Sequence, residues 1–237
     1  MSIWTRIAEA LSALAAGEGL SVVLDRLRNA PAPERSIGFT IAVIALGAKM
    51  AKADGTVTRD EVSVFRRIFA MAPDEEENAA RVFNLARQDV AGFDTYARKV
   101  AALFRKEGEA LCADDRNVLI DLLEGLFAIA MADGAYHPQE DAFLEQVATI
   151  FGLDARCYRV VRARFVDGAP RDPYDVLGIG PDATLADARA AWKQAVRESH
   201  PDAMIARGVP AEAVKLAERR LIAINEAWEA ISARRAA

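Results

Sequence analysis

Apolar residues recur at steps of three and four along most of this chain, the spacing of one face of an α-helix. Trp4, Ile7, Ala8, Leu11, Leu14 and Ala15 share one side of residues 3–15, opposite Arg6 and Glu9, and predict an amphipathic helix. The prolines of "RNAPAPER" (28–35) interrupt the pattern and predict a linker. "IGFTIAVIALGAKM" (37–50) is apolar on nearly every side and contains Lys49. Its 14 residues are short for a membrane span and suit a helix at the centre of a core. Thr58 with Glu61, and Asp74 with Glu77, have the spacing of capping boxes. The acidic run "DEEE" (74–77) therefore predicts a helix start, where negative charge complements the helix dipole. The expected fold class is all-α.

Two stretches repeat each other. "KMAKADGTVTRDEVSVFRRIF" (49–69) aligns with "AIAMADGAYHPQEDAFLEQVA" (128–148) at an offset of 79, with Ala53-Asp54-Gly55 against Ala132-Asp133-Gly134 and Glu61 against Glu140. Each copy predicts an apolar helix, a tight Asp-Gly turn with glycine at the left-handed helix end, and a second amphipathic helix. His137 falls at the N-cap of that second helix and Pro138 at its first position, where proline is favoured. If the copies pack together, Asp54, Asp133, Glu61 and Glu140, with Asp60 and Asp141 nearby, form a candidate site for a hard divalent cation such as calcium or magnesium. Neither loop has EF-hand spacing, and structural turns are the default reading.

"DGAPRDP" (167–173) predicts a second linker. Beyond it, "DPYDVLGI" is a short apolar piece, and Thr184 with Asp187 predicts the cap of a helix running to about Ser199. Leu185, Ala188, Trp192, Ala195 and Val196 make its apolar face, while Arg189, Lys193 and Arg197 recur every four residues as a basic stripe. Pro201 stops the helix. After Gly208 and Pro210, the positions Val214, Ala217, Leu221, Ile224, Trp228 and Ile231 form a seam suited to antiparallel packing against the first helix. Burying Trp192 and Trp228 there contributes several kcal/mol at roughly 25 cal/mol per Å². The seam explains the hairpin. It does not explain a histidine and an aspartate around a proline at its tip, His200-Pro201-Asp202.

Charge and cysteine content narrow the function. The formal net charge is −5, yet residues 171–237 carry 10 acidic and 10 basic residues, so the deficit lies upstream. No basic excess marks a nucleic-acid binder. Cys112 and Cys157 lie far apart in apolar helical patterns and predict buried thiols. No signal peptide is read at the start, and the expected location is the cytoplasm. Phosphate-binding glycine loops, nucleophile elbows and metalloprotease motifs are absent, which disfavours an enzyme.

Two resemblances follow from these residues. The paired "ADG" turns, with "TRDE" and "HPQE" after them, resemble the TerB-like all-helical domain, a family associated with tellurite resistance and, in some members, with metal. The order "DPYDVLGI", "AWKQAVRESHPD", "RRLIAINEAWEAI" closely resembles the J domain of the DnaJ (Hsp40) cochaperones over residues 172–232. The "RGVP" loop is similar to that of DjlA-type proteins, a family that joins a TerB-like domain to a C-terminal J domain. These likenesses imply an amphipathic segment at 1–30, a TerB-like bundle at 31–166 and a J domain at 167–237.

They further imply that His200, Pro201 and Asp202 stimulate ATP hydrolysis by an Hsp70 (DnaK) partner, with Arg189, Lys193 and Arg197 facing its acidic surface. The TerB-like unit would recruit a client, a partner or a location. Ala203 stands where many J domains carry a basic residue. DjlA-type proteins begin with a membrane span, for which the amphipathic helix at residues 3–15 is a candidate peripheral substitute at the inner membrane. The competing expectation is a metal-responsive stress scaffold that uses the hairpin as an interaction arm.

Overall fold

The computed structural model describes residues 3–12, 18–27, 32–54, 76–88, 92–104, 112–132, 134–166, 168–169 and 171–236. Every regular element among them is helical. The first part contains α1 (Ile3–Ser12), α2 (Leu20–Arg26), α3 (Ala32–Asp54), α4 (Glu76–Gln88), α5 (Phe93–Leu103), α6 (Ala113–Ala130), α7 (Pro138–Ile150) and α8 (Ala155–Phe165). The C-terminal part contains α9 (Pro173–Val176), α10 (Leu185–Glu198), α11 (Pro201–Ala206), a 3₁₀ turn (Ala211–Leu216) and α12 (Ala217–Ala236).

Helix α3 is the axis of the bundle, and it begins at Ala32, inside the stretch expected as a linker (28–35), because Pro33 falls in its first turn, where a missing N–H is tolerated. Phe39, the run Ile41–Leu46 and Ala48 are fully buried, as a helix apolar on all sides must be. Helices α1, α4, α5, α6 and α7 pack around it. Lys49 is tolerated inside because its Nζ lies 4.9 Å from the centre of the Tyr96 ring. Helix α1 packs on α3 and α4 with Ile7 and Leu11 buried. Ile7 and Leu11 of the amphipathic helix are thus turned inward; the side chain of Trp4 and residues 14 and 15 lie outside what the structure describes. Among the described residues no helix is long and apolar enough to cross a membrane.

The second copy of the repeat is built as its residues require. Gly134 takes a φ of +85°, a conformation costly for residues with a Cβ. His137 caps α7 with Pro138 at its first position, and the Glu140 carboxylate accepts the His137 N–H at 2.9 Å. In the first copy, Gly55, Thr58 and Glu61, like Asp74, lie outside the described residues. Cys112 departs from expectation. It is exposed at the N-cap of α6, where its sulfur accepts the Asp115 N–H at 3.4 Å; the buried apolar face begins only at Val118. Cys157 is partly buried.

The C-terminal hairpin pairs α10 with α12. Leu177, Ala188, Ile224, Ala227 and Ile231 form its small core, and Trp192 stacks on Trp228 with ring centres 5.5 Å apart. The seam predicted along the second helix is divided. Its far half fills the hairpin core, but Ala213, Leu216 and Ala217 join Met204 and Val209 in the core of the bundle. The hairpin has little apolar volume of its own, so the bundle completes the burial of its loop end.

Phe127 of α6 anchors the bundle side of this junction. It is fully buried and lies 5.5 to 5.9 Å from the rings of Phe165, Tyr158 and Tyr136. Phe127→Ala is expected to cost about 3–5 kcal/mol in urea unfolding; a loss below about 1 kcal/mol would show that the junction carries little of the stability.

Candidate functional site

The His-Pro-Asp tip is made by two helices meeting at a corner. Helix α10 starts on a reciprocal cap, with the Asp187 N–H donated to Thr184 Oγ1 at 3.1 Å and the Thr184 N–H to Asp187 Oδ2 at 3.0 Å. These bonds hold the Asp187 carboxyl below its ordinary range. The helix ends at Ser199, which is buried. His200 is the N-cap of α11, its Nδ1 accepting the Asp202 N–H at 3.2 Å, and Pro201 occupies the first helical position. The side chains of His200 and Asp202 are 61% and 90% exposed. Asp202 thus presents a carboxylate with open acceptor positions beside a capped, proline-stiffened backbone.

Arg189, Lys193 and Arg197 are all exposed on α10, so the structure brings the predicted stripe and tip onto one module. Among the described residues Arg189 and Lys193 make no ion pair, and Arg197 donates to Gln194 Oε1 at 2.7 Å. Arg189 and Lys193 border an apolar groove that Leu185, Ala186, Trp192 and Trp228 line with them. The site is a cationic strip beside an apolar groove, ending at a carboxylate.

Behind the tip lies a charge cluster that the sequence reading missed. Asp121 and Glu124 of α6 are fully buried. Arg220 of α12 bridges them, donating to Asp121 Oδ1, and to Glu124 at 3.1 Å from Nε and 2.7 Å from Nη2. Arg164 of α8 donates to Glu124. Arg207, the C-cap of α11, donates from Nε to Asp121 Oδ2 at 2.9 Å. Burial pushes the Asp121 carboxyl up, and Arg220 and Arg207 only partly offset it. For Glu124, burial also pushes upward, but Arg220 and Arg164 outweigh it and the group lies below its ordinary value. The signal was present: an aspartate and a glutamate three apart within "NVLIDLLEGLFAIA" are two acids inside an apolar run.

Further polar bonds join hairpin and bundle. Arg156 of α8 donates to Asp175 Oδ1 and the Ile179 carbonyl, each at 2.6 Å. Arg171 donates to the Ala163 carbonyl at 2.7 Å, and the Arg219 guanidinium lies 4.9 Å from the centre of the Phe165 ring. A cavity of about 280 Å³ remains between the two parts, with Arg116, Cys157 and Glu198 on its walls. Burial pushes the Cys157 thiol up despite Arg116 and Arg164, so it is not poised as a nucleophile.

Of the candidate cation ligands and their neighbours, the structure describes Glu140 and Asp141. Glu140 is engaged in the α7 cap, and Asp141 Oδ1 accepts Tyr136 and Tyr158 hydroxyls at 2.7 Å each and Arg162 Nε at 2.9 Å. The side chains of Asp54, Glu61 and Asp133 lie outside the described residues. Among the described residues, no three histidines, cysteines or acids converge as a metal site would require.

Comparison with known proteins agrees with this architecture. The family model described as tellurite resistance protein TerB matches residues 40–163, more than half of the 237 residues, and the chain belongs to that family. Beyond the TerB domain, it is DjlA-like along most of its length. It is 28% identical over 229 residues to the co-chaperone protein DjlA of Photobacterium profundum, covering 86% of this chain and 80% of the relative. The DjlA proteins of Aliivibrio fischeri and Escherichia coli K12 are 26% and 24% identical, each match covering 84% of this chain and 79% and 80% of the relative. No solved structure matches the chain.

Two measurements follow from the charges. Arg220→Met leaves two buried carboxylates short of a cation and is expected to lower unfolding stability by about 3–5 kcal/mol, against less than about 1 kcal/mol for Arg98→Ala at the exposed Arg98–Asp94 pair; equal effects would place the cluster among surface pairs. Partial burial pushes the Asp141 carboxyl up, but the bonds from Tyr158, Tyr136 and Arg162 hold it below 3.8. Its stabilisation is therefore present above that pH and lost as pH falls toward the depressed value. Asp141→Asn should flatten the acid limb of an unfolding-versus-pH curve, and an unchanged limb would remove this assignment.

Proposed function

We propose that this chain is a DnaJ-type cochaperone of the cytoplasm, in which residues 167–237 form a J domain that stimulates ATP hydrolysis by an Hsp70 of the DnaK type. The observation that carries the reading is the exposed His200-Pro201-Asp202 cap at the end of an outward-facing basic stripe, in a chain whose relatives are named co-chaperones. The TerB domain recruits a client, a partner or a location.

The physical roles divide by residue. Arg189, Lys193 and Arg197 steer encounter with an acidic surface, an effect on association that salt screens. Asp202 accepts charge-assisted hydrogen bonds from a partner guanidinium. Pro201 limits the backbone freedom lost on docking. The chain makes and breaks no bond itself, and the hydrolytic site belongs to the Hsp70.

In single-turnover ATPase assays with DnaK, the full chain is expected to raise the hydrolysis rate. His200→Gln and Asp202→Asn should remove that effect with helicity unchanged by circular dichroism. Lys193→Glu, or ionic strength raised from about 0.1 to about 1 M, which shortens the screening length from about 10 to about 3 Å, should increase the concentration giving half-maximal stimulation. Stimulation that survives the His200 and Asp202 changes would sink the reading.

A further inference from the structure

The exposed tip is held from behind by one guanidinium. Arg207 is 4% exposed and ends α11, the helix that His200 begins. From Nη1 it donates to the carbonyl of Glu198 at 2.7 Å, and from Nε to Asp121 Oδ2 at 2.9 Å. Glu198 is the last residue of α10, the helix carrying the basic stripe. Arg207 therefore joins three bodies: the end of the stripe helix, the far end of the tip helix, and α6 of the TerB domain. Asp121 is itself fixed from its other oxygen by Arg220.

The chain around Arg207 is shaped for this clamp. Gly208 adopts a φ of +105°, and the Val209 N–H closes the turn on the Met204 carbonyl at 3.0 Å. Met204 and Val209 are fully buried in the core of the bundle. His200, Pro201 and Asp202 stay outside. Arginine suits the position because its planar fork can donate in two directions at fixed geometry, which a lysine ammonium cannot do over this span.

We propose that Arg207 is a positioning residue for the His-Pro-Asp loop, acting through Asp121, so that the TerB domain sets the angle between loop and basic stripe. The inference rests on the cochaperone reading. A partner must meet stripe and loop together, and their relation turns on the short corner at Ser199. With the clamp intact the corner is ordered before docking. Without it the stripe still drives encounter, but the loop arrives in many orientations, and ordering it is charged against the productive complex.

The test uses the full-length chain with Arg207→Gln, Asp121→Asn and the double variant. Two readouts apply: amide hydrogen exchange without any partner, and single-turnover DnaK ATPase across cochaperone concentration. Arg207→Gln is expected to speed exchange at the Met204 amide, which bonds the His200 carbonyl, by roughly tenfold, while α3 amides keep their protection. The stimulated rate at saturation should fall roughly tenfold, with the half-saturating concentration moving less than about twofold. The double variant should be no worse than the more damaging single one, as for two members of one bond network.

Unchanged Met204 exchange and unchanged saturating stimulation in Arg207→Gln overturn the proposal, as do additive losses in the double variant. If Arg207→Gln does not fold, Arg207→Lys keeps the charge toward Asp121 but gives up the simultaneous bond to Glu198. It is expected to fold with a loosened loop, and wild-type loop protection there overturns the clamp. A wild-type chain that leaves DnaK unstimulated, or a His200→Gln variant as active as wild type, defeats the cochaperone reading instead. The exchange measurement then still decides whether Arg207 holds the loop.

Discussion

Two carboxylates buried on α6 hold guanidiniums from three other parts of the chain, and the arrangement of both halves follows from that. Asp121 and Glu124 have no exposure, and a bare carboxylate there would be strongly disfavoured by lost hydration. Arg164 comes from within the bundle, whereas Arg207 and Arg220 arrive from the hairpin. Asp121 is therefore compensated by cations of the other part, and Glu124 by one cation from each, so separating the parts would strand charge on both sides. Apolar contact alone would hold them with less definition, because it is non-directional. The bridging of both acids by Arg220 specifies a register, since its bonds fit one relative placement of α12 and α6.

That register explains how so small a hairpin can present a rigid tip. Its own core contains few large side chains, chiefly Leu177, Ile224 and Ile231 with the Trp192–Trp228 stack beside them. Met204, Val209, Ala213 and Leu216 are buried instead among residues of the bundle. The loop between α10 and α12 is thus an interior feature on one side and a surface feature on the other. Its inner side carries these four residues and Arg207. Its outer side carries His200, Pro201 and Asp202. Arginine serves both sides by the same chemistry, paired with carboxylates inside and left open to a partner along α10.

Much of this was legible in the sequence because it is local. Helix periodicity, the Thr184–Asp187 cap, the helix stop before Pro201 and the left-handed Gly134 depend on neighbours within a few residues, and each stands where its spacing placed it. The two His-Pro pairs show the range of that logic. His137 and His200 both cap helices with proline next, and what separates them is the neighbourhood: Glu140 and the repeat turn for one, a basic helix and Asp202 for the other. The buried cluster was not legible in the same way. Asp121 and Arg207 are 86 residues apart, and no period in the sequence links them. Cys112 misled for a related reason, since its apolar neighbours belong to the helix that it caps rather than to a face it shares.

The division of the seam along residues 214–231 bears on what the two halves are to each other. A heptad-like pattern read in isolation assigns every apolar position to one partner helix. Here Ala217 serves the bundle and Ile231 the hairpin, so the same stripe binds different neighbours along its length. The change of neighbour falls around Arg220, where the buried cluster sits. A stripe that leaves one core for another needs a fixed point at the crossing, or α12 could slide by a turn and keep much of its apolar contact. The charges supply that point, because a shift of one turn, about 5.4 Å, would break all of the bonds that Arg220 makes to Asp121 and Glu124. The tip is then oriented by an interaction far from it in sequence. The helical bundle forms part of the structure that holds the His-Pro-Asp loop.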